Sequence, residues 1–257
     1  MTFVRWGLVC FLLGAPLVVL GQGVSDTPYS RLNTFTGFFE YTNDSSHIFS
    51  GEAVNRKIGA VGFGYERRLV HQRLFDLEYA VEWRPAIIES DPTAMQTLIV
   101  DAPTVRVIPE NTLPVEKCVA GTQPYVSPPG YPTTYPEFIT TVCGRRQVLG
   151  QALSPLGFRL AGWTRHRLQP TLRGDMGVMF FTQPAPTYFA GNFNVFFDLG
   201  IGLELYRTHR QSLRLEYVVQ HYSNLGTVPS SSNPLFPYNG NPGVDSGFFK
   251  LTFSVGR

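Results

Sequence analysis

Over the stretch from Ser212 to Asn224, SLRLEYVVQHYSN, apolar and polar residues alternate, and His221 and Ser223 stand where the apolar series would continue. Leu213, Leu215, Tyr217 and Val219 share their parity, whereas Arg214, Glu216 and Gln220 hold the other. Successive side chains of a β-strand point to opposite faces, so the imidazole and the hydroxyl lie on the apolar face, about 7 Å apart along the strand. Near the carboxy terminus Asp245 falls in phase with Phe249, Leu251, Phe253 and Val255. A serine that cleaves an ester needs a base to take its proton and an acid to hold that base in the right tautomer. His221, Ser223 and Asp245 offer those roles if the last two strands are neighbours. Taken singly, His221 and Ser223 also fit polar residues at a membrane rim, where even a charge costs only about 0–1 kcal/mol, and Asp245 also fits a turn residue after Asn241-Pro242-Gly243. His47, His71, His166 and His209 fall in loops or basic turns and read as solvated. No Gly-x-Ser-x-Gly elbow occurs, which argues against a soluble α/β-hydrolase.

The trio needs strands to position it, and the same alternation predicts about eight of them. The first runs near Leu32 to Tyr41 and the second near Ile58 to Val70. In the third, Phe75, Leu77, Tyr79, Val81 and Trp83 oppose Asp76, Glu78, Glu82 and Arg84. The fourth is placed near Gly157 to Thr164, the fifth near Thr171 to Thr182 and the sixth at Phe193 to Tyr206. The last two carry His221, Ser223 and Asp245. Connections alternate: tight basic turns at His71-Gln72, Arg165-His166-Arg167 and Thr208-His209-Arg210, and long links at Thr42 to Lys57, Pro85 to Leu156, Gln183 to Asn192 and Leu225 to Val244. Short periplasmic turns with longer outer loops are the pattern of outer-membrane barrels. The predicted fold is therefore all-β, an eight-stranded antiparallel up-and-down transmembrane β-barrel with long outer loops, formed by a single domain over residues 22–257. A soluble β-sandwich or barrel would show the same alternation with its apolar face inward.

Composition narrows the class further. Aromatic residues make up 14% and charged residues only 16% of the 257, with 25 glycines, as suits a membrane barrel or a β-rich exported domain. Arg5 followed by the apolar run Gly7 to Leu20 and by Gly21 reads as a signal peptide over residues 1–21, too short and too interrupted by Pro16 for a spanning helix. Removing Cys10 with that segment leaves Cys118 and Cys143, an even pair in an exported chain, and a disulfide within the longest loop is the simplest expectation. No cysteines or histidines stand at zinc-ligand spacing, so no metal or other cofactor is called for. A net charge of +2 makes no case for nucleic acid.

The run His221-Tyr222-Ser223-Asn224-Leu225-Gly226, followed by Asn241-Pro242-Gly243-Val244-Asp245, resembles the carboxy-terminal signature of the PagL-type lipid A 3-O-deacylases. That resemblance covers about the last forty residues. It implies an eight-stranded outer-membrane barrel of a Gram-negative-type bacterium with a lipid-facing active site. Ser223 would be the nucleophile, His221 the general base and Asp245 the orienting acid, where the family typically has Glu. Asn224 and the backbone N–H near Gly226 would form the oxyanion hole. The implied substrate is lipid A, or lipopolysaccharide, in the outer leaflet, and a homodimer is compatible with the sequence. A phospholipid-directed esterase and a non-catalytic structural or adhesive barrel are the alternatives.

Overall fold

The structure is a computed structural model that describes residues 29–42, 55–100, 107–114, 119–124, 137–185, 190–226 and 243–257. The expected signal peptide lies outside the described residues. Ten strands form from the alternating segments: β1 (Asn33–Thr42), β2 (Lys57–His71), β3 (Phe75–Val100), β4 (Val107–Pro114), β5 (Gly121–Pro124), β6 (Glu137–Gly162), β7 (Gln169–Phe181), β8 (Phe193–Leu205), β9 (Gln211–Ser223) and β10 (Gly243–Gly256). All belong to one antiparallel sheet. The order β3-β2-β1-β10-β9-β8-β7-β6 returns to β3 through the β3–β6 pairing, so the sheet closes on itself as a ring. Its seam with respect to the chain is β1 against β10, from Thr34 opposite Gly256 to Tyr41 opposite Phe249. Closure removes the exposed strand edges that an open sheet would present.

Burial is inverted relative to a soluble domain. On the outer wall Phe35, Phe63, Ile201 and Phe249 are 61–67% exposed, while Arg84, Arg159, Arg214, Lys250, Glu78 and Glu204 point inward and are at most 2% exposed. Charges withdrawn from water cost several kcal/mol each unless they are paired. The interior is paired accordingly. Lys250 Nζ donates to both oxygens of Glu82 at 2.8 and 2.7 Å, Arg84 reaches Glu40 at 2.6 Å and Asp198 at 2.7 Å, and Arg159 spans Glu204 and Glu78. Toward the loop end the filling becomes apolar, with Phe181, Phe196, Val218, Tyr222, Val244 and Phe248 in one buried cluster. That cluster backs the strand segment carrying His221 and Ser223.

The link expected from Pro85 to Leu156 is largely strand. β3 runs on to Val100 and β6 begins at Glu137, the two paired as far as Val100 opposite Glu137. Prolines conceal this continuity from a pattern reading, because proline lacks the N–H that a ladder needs. Here Pro85 falls in the register irregularity between Arg84 and Ile87, and Pro155 in that between Leu153 and Leu156. At those points the ladder is already interrupted, so no hydrogen bond is forfeited. Pairing of β2 with β3 stops at Ser90, so the last ten residues of β3 extend beyond the ring by about 30 Å at ~3.3 Å per residue. β4 pairs with β3 and β5 with β6 on this extension. Both flanking strands carry proline, Pro109 and Pro114 on one and Pro124 on the other, which discourages further strands from adding at those edges. Cys143 lies on this extension opposite Ala94, and its expected partner Cys118 lies outside the described residues.

Candidate active site

β9 and β10 are adjacent and in a register that places Asp245 directly opposite His221 and Gly243 opposite Ser223. On the other side of β9, Phe197 stands opposite His221 and Val195 opposite Ser223. The pleat turns all of these to the outer wall, the same face as Leu215, Tyr217, Phe249 and Leu251. Predicted parity and observed face agree for each member of the trio.

His221 Nδ1 lies 2.7 Å from Asp245 Oδ1. The carboxylate is 1% exposed although its parity is outward, because the imidazole leans across it, and the His221 side chain itself keeps 37% exposure. With Nδ1 held on the carboxylate, Nε2 is the nitrogen left to face a reacting group. Gly243 makes room for that nitrogen. A Cβ built there would stand 2.9 Å from His221 Cε1, 3.2 Å from Nε2 and 3.4 Å from Ser223 Cβ, so the imidazole edge and the serine converge over a position that has no side chain. Among the described residues Ser223 and His221 are not hydrogen-bonded. Catalytic contacts of this kind commonly tighten only around substrate.

Four residues further down β10 the arrangement repeats, with Tyr217 laying its hydroxyl over Gly247, where a Cβ would collide with it. Tyr217 also packs edge-on against Phe249, ring centroids 5.5 Å apart. Below the trio the wall is therefore a continuous apolar surface built from Phe197, Leu199, Tyr217 and Phe249, each at least 40% exposed.

The residues assigned by resemblance to an oxyanion hole sit just beyond β9. Asn224 is buried, and its Nδ2 donates to the Phe193 carbonyl at 2.9 Å, tying the end of β9 to the start of β8. Leu225 and Gly226 follow in left-handed conformation, φ 51° and 67°, the turn that carries the chain away from the strand. Asn241 and Pro242 lie outside the described residues.

Sequence reasoning missed the support beneath the site. Tyr222 points inward between His221 and Ser223, and its hydroxyl donates to Glu89 at 2.8 Å and contacts Arg56 at 3.4 Å. Arg56 in turn reaches Asp91 at 2.6 Å, and Arg146 reaches the other oxygen of Asp91 at 2.9 Å. The residue between the two candidate catalytic groups is thus anchored to three other strands or their ends. Its parity, shared with Arg214, Glu216 and Gln220, was the only available signal. His71 also departs from expectation: its side chain is 10% exposed rather than solvated, with Nδ1 2.5 Å from Asp76 Oδ1, and Ser30 donates to the second carboxylate oxygen at 2.7 Å. This cluster pins the segment before β1 to the first short turn. Ser30 approaches the carboxylate and Nδ1 rather than Nε2, so it is a clasp and not a second nucleophile site. No group of three or more His, Cys, Asp or Glu gathers as a metal site among the described residues.

No family model and no curated protein matches the chain. Among solved structures it is similar to the crystal structure of the outer membrane enzyme PagL, with a TM-score of 0.40 and 13% identity over 88% of this chain and 99% of that one. At that level the likeness adds nothing to the strand pairing already described.

Proposed function

We propose that this chain is an eight-stranded outer-membrane β-barrel and a serine esterase that removes the ester-linked 3-hydroxyacyl chain at position 3 of lipid A. The observation that carries the reading is the His221 Nδ1 to Asp245 contact on the outward, apolar face, with Ser223 converging on the same space above Gly243. A lipid substrate reaches a polar trio on a lipid-facing wall by sideways diffusion. Strands of 10–15 residues around most of the ring reach or exceed the 9–11 that a tilted transmembrane strand needs. Aromatic residues gather near both ends of the wall, Tyr65, Tyr79 and Trp163 by the short turns and Tyr41, Phe180 and Phe193 by the long links, as in the girdles of such barrels.

In the proposed reaction Ser223 Oγ gives its proton to His221 Nε2 and attacks the ester carbonyl. The tetrahedral oxyanion is met by backbone N–H donors at Asn224 and Gly226, the Asn224 side chain being held on the Phe193 carbonyl. Collapse breaks the carbon–oxygen bond to the sugar, and His221 returns the proton to the leaving oxygen. Water, deprotonated by His221, then cleaves the acyl-enzyme and releases the fatty acid. Asp245 holds Nδ1 protonated throughout. The acyl chains lie against Leu215, Tyr217, Val219 and Phe249. The signal peptide is removed before Gln22, and a Cys118–Cys143 disulfide stabilises the outer extension.

Mass spectrometry of lipid A from cells expressing the protein tests this. Loss of one 3-hydroxyacyl group, abolished by Ser223→Ala, is expected, and intact lipid A with the native chain would reject it. The same measurement on extracted phospholipids separates the phospholipid-directed alternative.

A further inference from the structure

The short-turn end of the ring has a charge arrangement that the esterase chemistry does not use. Arg67, Arg73, Arg165, Arg167, Arg210 and Arg257 are all exposed there. Every Asp and Glu side chain near them is buried inside the ring and taken up by interior partners: Glu66 by Arg214, Asp76 by His71 and Ser30, Glu78 by Arg159, and Glu204 by Arg159 and Arg207. The outer guanidinium groups therefore face no exposed Asp or Glu side chain among the described residues. One of them caps an outward column of the wall, since Arg257 follows Phe253 and Val255 at the end of β10, and Arg67 follows Phe63 and Tyr65 at alternate positions of β2 with the exposed Val70 just beyond it. Alternation places the Arg257 position about 6–7 Å beyond Val255, the last apolar residue of its column, where a bilayer changes from hydrocarbon to headgroup. Leu74, Trp163 and Tyr206, 69%, 55% and 79% exposed, are interleaved with the arginines on the turns. The turns are braced, with Trp163 N–H donating to the Leu74 carbonyl at 2.7 Å.

We infer that this rim is a binding surface for the phosphodiester headgroups of anionic phospholipids in the leaflet on the short-turn side. Guanidinium groups match phosphate oxygens in planar, bidentate fashion. Interleaved aromatic and leucine side chains, continuous with the apolar wall, suit an interface between hydrocarbon and headgroups rather than an aqueous polyanion. The inference rests on the membrane-barrel reading but not on the esterase.

The test reconstitutes the full mature chain in vesicles of phosphatidylcholine with or without phosphatidylglycerol and measures the lipids retained on the protein by native mass spectrometry. Phosphatidylglycerol should be retained over phosphatidylcholine by about five-fold or more, and the preference should fall at high salt. Arg165→Gln, Arg167→Gln and Arg210→Gln together should erase it, the corresponding lysine variant should keep most of it, and Lys57→Gln at the opposite end should leave it intact. The heat-dependent shift in gel migration reports whether each variant is folded. Equal retention of the two lipids by the folded native chain, or an unchanged preference in the glutamine variant, overturns the inference alone. A chain that does not insert into either vesicle overturns the barrel reading and this inference with it.

Discussion

His221 and Asp245 face each other across the β9–β10 pairing with Nδ1 and Oδ1 2.7 Å apart, and the imidazole leans from there over Gly243 toward Ser223. The carboxylate is covered by the ring it orients. This relationship separates the roles of the two nitrogens, one committed to position and one left for proton transfer.

Asp245→Asn should therefore reduce lipid A deacylation on the order of 10⁴-fold, because an amide can accept at Nδ1–H or donate to bare Nδ1 and no longer enforces one tautomer. Asp245→Glu keeps the charge and should retain activity between the native and asparagine levels. A time course of lipid A composition in cells expressing each variant checks both.

Gly243→Ala should cost about 10²-fold in rate with the fold intact, since a methyl group 2.9 Å from Cε1 pushes the imidazole away from Ser223, and displacements near 1 Å have effects of this size. Activity falling together with loss of the heat-dependent gel shift would contradict this, since it would mean that the fold rather than the site had changed.

Leu251→Arg discriminates the environment of the outer wall. Leu251 is 45% exposed near the middle of β10. Facing lipid, the substitution should destabilise by roughly 2–4 kcal/mol. Facing water, it should change stability by no more than about 0.5 kcal/mol. Denaturant unfolding from vesicles reads the difference.

Tyr222→Phe removes the hydroxyl that serves Glu89 and Arg56 while preserving the ring among Phe181 and its neighbours. A loss of about 1–3 kcal/mol is expected from the buried acceptor left without that donor. Activity should fall as well if the inward anchor sets where His221 and Ser223 stand, and catalytic rate measured below the unfolding transition separates the two effects.

Lys250→Met should destabilise by about 3–5 kcal/mol, because it leaves Glu82 and Glu40 buried without the ammonium group that lies between them. Adding Glu82→Gln should recover part of that loss. The recovery is read as the midpoint of denaturant unfolding.

Period-two alternation is enough to predict β-structure, to place the boundaries of β1, β2, β7 and β8 within two residues, and to put His221, Ser223 and Asp245 on one face. The pleat makes this possible, since parity along a strand is a local property of the chain. Parity also set Tyr222 on the opposite face, but not what it would meet there. Alternation alone ends β3 at Arg84 and starts β6 at Gly157, because Pro85 and Pro155 look like terminators, and only the tertiary pairing shows that both fall at breaks in the ladder. The solvated reading of His71 failed for a similar reason, as Asp76 and Ser30 reach it from the other side of a turn and from the segment before β1.

What the residues alone determined was which side chains share a face, a consequence of backbone geometry that no partner strand can alter. Which face turns outward, which strands become neighbours and which nitrogen of His221 meets a carboxylate were decided by closure of the ring. Those are relations between segments far apart in the chain, and they arise only when β1 pairs with β10 and β3 with β6, burying the charged face in mutual ion pairs and leaving the apolar face outside.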